Sequence, residues 1–193
     1  MDNIKIIALD MDGVVNSDHL IYDWLMNKRE ELKSSYNNDM FSEELRLAVR
    51  QAFNDEFDHS TELVFPELAS RITKICNETD AYILWSSTWR KLDKYQDIEV
   101  AKDMFNRRGL PGNKLIGYTP SIGMSWGGNC RGSEISSWIH NNTVGNIIKC
   151  AVIDDRLDAG YNLPSCAKYF QTFCAVGIND YDVEDIINYL NKE

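Results

Sequence analysis

The sequence predicts an α/β fold, a parallel sheet covered by helices on both faces. Three observations carry this expectation. Apolar runs of strand length recur along the chain, first within "IKIIAL" and later within "IIKCAVID". Segments with helical spacing lie between them. The runs are nearly continuous rather than alternating, which suits strands buried on both faces.

The elements follow in order. A first strand is expected at 4–9, and 16–62 is a long polar segment with helical patterning. Its clearest part is 41–57, where Phe41, Leu45, Ala48, Val49, Ala52 and Phe53 fall on one face. A helix over 66–78 starts on Pro66, which suits a first turn, and shows Leu68, Ile72 and Ile75 on one side. A second strand is expected at 81–85, and a helix at 97–108 stops at Gly109 with Pro111 beyond. A weaker strand at 114–118 precedes the glycine-rich loop "SIGMSWGGNCRG", which leads into an amphipathic helix near 133–141. Strands at 147–154 and 169–176 and a helix over 182–192 complete the chain. There is no internal repeat, low-complexity stretch or flexible linker, so one domain over 1–193 is expected.

Composition narrows the classes. The chain has 193 residues, 44% apolar and 26% charged, as in a water-soluble globular protein with a sizeable core. Its apolar runs fall far short of the roughly 20 residues a membrane helix needs. "MDNIK" lacks the features of a signal peptide, so a cytoplasmic location is expected. Five cysteines without a CxxC spacing argue against a disulfide framework and a zinc site. A net charge of −10 opposes broad binding to nucleic acid, although basic clusters occur at 89–94, at 106–109 and at Arg131.

In open α/β sheets, ligands bind beyond the carboxyl ends of the strands. The chemistry of this chain gathers there. The first strand ends in Asp10 and Asp12, and Gly13 lets the chain turn away. Burying an unpaired carboxylate is costly, so this pair marks either a surface turn or a cation site. The second strand ends in "SSTWR", with hydroxyls at Ser86, Ser87 and Thr88. The later strand at 147–154 ends in Asp154 and Asp155, with Arg156 and Asp158 next. Arg131 heads a helix, where free backbone N–H groups also favour anions. Carboxylates in that number suit a hard cation such as Mg²⁺, beside which an aspartate can attack phosphorus. A hydroxyl and a cationic side chain would hold the phosphoryl oxygens. Taken singly, each piece has a plain reading as a turn, a helix cap or a local ion pair. Taken together, in this order and each at a strand end, they are poorly explained by coincidence.

The arrangement resembles the haloacid dehalogenase (HAD) superfamily of phosphohydrolases. The resemblance is carried by "LDMDGVV" (9–15), "ILWSSTWR" (83–90), "CRGSEISSWI" (130–139) and "AVIDDR" (151–156). More narrowly, the chain is similar to the phosphatase-type domains of RNA-repair proteins and phage polynucleotide kinase–phosphatases. The resemblance implies a Rossmann-like sheet with a small or minimal helical cap, for which 16–62 is the candidate. It implies Asp10 as nucleophile and Asp12 as general acid/base. Mg²⁺ would be held by Asp10, the backbone carbonyl of Asp12 and Asp154, with Asp155 acting directly or through water. Ser87 would bind the phosphoryl group, with Ser86 as the alternative, and Gly13 of the loop after the first strand would join in binding it. The superfamily usually has a lysine in its third motif. Arg131 is the candidate here, ahead of Lys149. Trp89, Trp126 and Arg90 are candidate substrate contacts, since aromatic rings there can stack a base.

Three functions remain open at this point. One is a Mg²⁺-dependent phosphatase, a nucleotidase or an enzyme acting on phosphorylated nucleic-acid ends. Another is a phosphatase of the same chemistry acting on a small metabolite such as a sugar phosphate. The third is a non-catalytic protein of this fold that binds a phosphorylated ligand or a partner. The intact set Asp10, Asp12, Ser87 and Asp154 counts against the third. The chain contains no GxxxxGK[ST] loop, so a kinase step would fall to another chain.

Overall fold

β1 (Asn3–Leu9) runs through the middle of the sheet. It is joined by β2 (Tyr82–Trp85), β3 (Leu115–Tyr118), β4 (Asn146–Asp154) and β5 (Ala167–Gln171). The order across the sheet is β3-β2-β1-β4-β5, and every pairing is parallel. The structure is a computed structural model, and it describes residues 3–36, 42–57, 63–122, 130–142 and 145–192.

Central position explains the apolar runs. Ile6, Ile7, Ala8 and Leu9 are all fully buried, because neighbours cover both faces of β1. Successive side chains alternate between those faces. Ile7 and Leu9 join Ile83, Trp85, Ala151 and Ile153 in one core, beneath α3 (Pro66–Thr79), α4 (Ile98–Arg107) and α6 (Asp180–Asn191). Ile6 and Ala8 join Leu84, Cys150 and Val152 in the other, where Ile135 of α5 (Arg131–Asn141) packs. Each fully buried Ile or Leu contributes about 1.5–3 kcal/mol.

The helices begin and end on the expected signals. Pro66 opens α3, and Asp97 caps α4 by accepting from Glu99 N. Gly109 takes φ +79° just after α4. A capping box between Asn179 and Asp182 starts α6. Between β1 and α3 lie α1 (Asp18–Leu32) and α2 (Glu43–Phe57), the second close to the expected 41–57. Trp24 meets Phe53 edge-on at 5.2 Å between them. Leu20, Ile21 and Trp24 of α1 also pack against the α3 side of the core.

One strand differs from its expected span. The apolar run suggested 169–176, but β5 ends at Gln171. The chain then turns inward at Thr172, whose Oγ1 donates to Gly13 O at 2.7 Å. A tight turn follows, with Gly177 N donating to Phe173 O and Gly177 at φ +73°. Phe173 and Val176 are consequently exposed apolar residues on a turn. Among the described residues, no helix is long and apolar enough to cross a membrane.

Candidate active site

Register builds the site. Leu9 pairs with Trp85 on one side and with Ile153 on the other, so β1, β2 and β4 end level with each other. The next residue of each strand is Asp10, Ser86 and Asp154. The ladder carries one step further, because Ser86 N donates to Leu9 O at 2.8 Å and Asp10 N to Ile153 O at 3.0 Å. By alternation all three belong to the face of Ile6, Ala8, Leu84 and Val152, which is the face under α5.

Arg131, the first residue of α5, therefore reaches the row from above. Its Nη1 lies 2.7 Å from Asp10 Oδ1 and 3.1 Å from Asp154 Oδ2. All three side chains are buried. Burial alone would lower the Arg131 pKa, but the two carboxylates outweigh it and hold the guanidinium above its ordinary value. Burial, and then the nearby Asp10, raise Asp154 to about 7, against the pull of Arg131. Half-buried Asp155 is raised for the same two reasons.

Asp10, Asp154 and Asp155 each offer a carboxylate oxygen, and the three oxygens lie within 4.8 Å of one another. Asp154 Oδ2 is buried and accepts no hydrogen bond, since the Arg131 contact is an ion pair without hydrogen-bond alignment. An all-carboxylate set with an unsatisfied buried oxygen fits a hard divalent cation such as Mg²⁺. Gly13 makes this approach possible. It sits at φ +68°, and a Cβ there would fall 2.6 Å from Asp155 Oδ2.

The two serines have different environments. Ser87 Oγ accepts from Trp89 N at 3.3 Å and starts the short 3₁₀ turn Thr88–Lys91. Ser86 lies in the row with Asp10, and its buried Oγ has no hydrogen-bond partner. Ser86 Oγ is thus without a protein partner, whereas Ser87 Oγ already accepts one hydrogen bond.

Arg90 also departs from expectation. Suggested as a substrate contact, it points inward and is 5% exposed. It donates to Thr119 O, Ser86 O and Ser87 O, and its Nη2 donates to Glu134 Oε2 at 2.6 Å. Residues 86–90 are thereby pinned to α5, one turn beyond Arg131. Sequence reading missed Glu134, because a carboxylate in a helix ordinarily reads as solvated surface.

Asp12 is exposed, and both of its oxygens accept hydrogen bonds. Asn16 Nδ2 donates to Oδ1 and Trp89 Nε1 to Oδ2, each at 3.0 Å. Asp158 lies outside the metal set. Its Oδ2 accepts from Arg131 N at 3.0 Å, which caps α5 and suits the helix dipole. Lys149 donates to Tyr189 O beside α6, away from the carboxylate row. Trp126 lies outside the described residues.

A family model for the HAD domain in Swiss Army Knife RNA repair proteins matches residues 6–183, nearly the whole chain. No curated protein and no solved structure matches it. The match takes in the three strand ends of the site, Arg131 at the start of α5 and nearly all of the sheet. The chain belongs to the HAD domains of Swiss Army Knife RNA repair proteins.

Proposed function

We propose that this HAD-type domain is a Mg²⁺-dependent phosphomonoester phosphatase acting through an aspartyl-phosphate on Asp10. The observation that carries the reading is the convergence of Asp10, Asp154 and Asp155 within 4.8 Å beside the buried Arg131. Asp10 attacks phosphorus, and the bond to the leaving oxygen breaks as Asp12 gives that oxygen a proton. Asp12 then takes a proton from water, which attacks phosphorus, frees inorganic phosphate and restores the Asp10 carboxylate. Ser86 and Arg131 hold phosphoryl oxygens through both steps. Mg²⁺, held by Asp10, Asp154, Asp155 and the backbone carbonyl of Asp12, would neutralise charge on the phosphoryl group.

The substrate in this reading is a nucleotide or a phosphorylated nucleic-acid end. The RNA-repair description of the family supports it, as does the half-buried Trp89 beside Asp12. The net charge of −10 favours ends and nucleotides over long duplexes. Residues 16–62 act as a small helical cap on a single domain.

The test is phosphate release with and without Mg²⁺. The panel holds p-nitrophenyl phosphate, nucleoside 3′- and 5′-monophosphates, sugar phosphates and phosphorylated oligonucleotides. Asp10→Asn is expected to abolish release and leave the fold intact. Full activity in a folded Asp10→Asn variant would refute the nucleophile assignment. Preference for sugar phosphates would move the substrate to small metabolites.

A further inference from the structure

We propose that Trp89 and Asn16 are positioning residues that hold the Asp12 carboxylate in one orientation for proton transfer. The proposal rests on the reading of Asp12 as general acid/base, and it adds the groups that aim it. An exposed aspartate on a loop ordinarily samples several rotamers. Proton transfer needs its oxygen within hydrogen-bond reach of the leaving group. Asp12 is exposed, yet each carboxylate oxygen has its own donor, Asn16 Nδ2 on Oδ1 and Trp89 Nε1 on Oδ2.

Both donors are themselves fixed. Asn16 is 8% exposed. Its Nδ2 also donates to Leu63 O at 3.2 Å, and its Oδ1 accepts from Gly13 N at 2.9 Å. One side chain thus grips the Asp12 carboxylate and the following peptide N–H together. Trp89 sits in the 3₁₀ turn Thr88–Lys91, whose next residue is the buried Arg90. Trp89 N donates to Ser87 Oγ, and Leu92 N donates to Trp89 O at 3.0 Å. The indole is therefore mounted on a turn that its own backbone bonds and the buried Arg90 hold in place. It approaches Asp12 from the β2 side, while Asn16 approaches from the β1 loop.

This assignment separates a positioning role from a structural one through leaving-group dependence. p-Nitrophenolate leaves with little help from a proton, whereas an alkoxide leaves poorly without one. The quantity to measure is kcat/KM, which reports phosphoryl transfer to the enzyme, for p-nitrophenyl phosphate and for a nucleoside monophosphate. In Trp89→Phe the ring is kept and the donor lost. The ratio of nucleotide to p-nitrophenyl activity is expected to fall about tenfold or more. Asn16→Leu is expected to shift the ratio in the same direction. Equal losses on both substrates would overturn the proposal.

A second measurement needs no turnover. The chain has five tryptophans, and in ¹H–¹⁵N spectra the Trp89 indole N–H would be assigned by its loss in Trp89→Phe. Asp12→Asn is expected to move that resonance more than the other indoles, and an unmoved Trp89 signal would overturn the hydrogen bond. Wild-type protein inactive on every substrate would remove the phosphatase reading and this assignment together. An active wild type with equal losses in the variants would remove this assignment alone.

Discussion

Arg131 meets two carboxylates with a single nitrogen, at 2.7 Å from Asp10 and 3.1 Å from Asp154. Arg90, also buried, meets one carboxylate, and there burial wins and lowers its pKa. The contrast reflects the second carboxylate beside Arg131, and Arg131 itself adds to the lowering at Arg90. Arg131→Ala would leave Asp10 and Asp154 facing each other unscreened. Its phosphate release is expected to fall by about a hundredfold or more. Arg131→Lys keeps the charge without the planar fork and is expected to lose less. Steady-state kinetics on folded variants decide this, and wild-type rates in Arg131→Ala would assign the phosphoryl contact elsewhere. The same row sets a pH dependence. Burial and the nearby Asp10 push Asp154 up to about 7 in the folded chain, against roughly 4 unfolded. Between those values the folded state holds a proton that the unfolded state lacks. The contribution of this group to stability is therefore lost as pH rises from about 4 to 7. In the proposed reading Mg²⁺ would bind the ionised form and offset that loss. Melting curves should show a larger Mg²⁺-induced rise in Tm at about pH 8 than at about pH 5. A larger rise at the lower pH would contradict the raised Asp154.

At the scale of elements, the site depends on three strands ending level and on α5 being held over them. The buried Arg90–Glu134 pair is the visible link between the β2 turn and α5. Glu134→Ala should cost roughly 3–5 kcal/mol in urea unfolding, because Arg90 would be left buried without its counter-charge. Replacing both partners by Met and Leu should recover much of that loss, and an equal loss in the double variant would deny the pair its role. Gly132 is a further constraint on α5, since a Cβ there would meet Tyr161 O at 1.9 Å. These elements were legible in unequal measure. β1, β2 and β4 could be read because burial on both faces makes their apolar runs continuous, and α3 and α4 because Pro66, Gly109 and Pro111 mark their limits. Asp10 and Asp154 stand out because charged residues directly after such runs need a reason, and Arg131 because it heads a helix after a glycine-rich loop. β5 was overread, because Phe173 and Val176 prolong the apolar run after the backbone has turned. Arg90 was misread for a different reason. A cation beside hydroxyls looks like a ligand contact until Glu134, 44 residues away, is seen to hold it. The Trp89 donor to Asp12 was equally hidden, since it lies 77 residues away in sequence.

For the molecule as a whole, the question is whether the sheet and its site stand without the α1–α2 pair. The chain leaves and rejoins the sheet layer at touching points. Asn16 Nδ2 donates to Leu63 O at 3.2 Å, and Phe65 N donates to Val15 O at 2.9 Å. Ends this close can be joined by a short linker, because closing a small loop costs little and strains nothing around it. Against this, Leu20, Ile21 and Trp24 cover part of the core beside α3, and Asp18 N donates to Cys174 O at 3.0 Å. Replacing 18–62 with about four Gly/Ser residues therefore carries a definite cost in stability. If the pair is a cap, the shortened chain still unfolds cooperatively at a lower Tm. It also keeps turnover of p-nitrophenyl phosphate within about tenfold of wild type, since Asp10, Ser86, Arg131 and Asp154 all lie outside the removed segment. If cooperative unfolding disappears, α1 and α2 belong to the core. The small-cap reading then gives way to a larger catalytic domain that includes them.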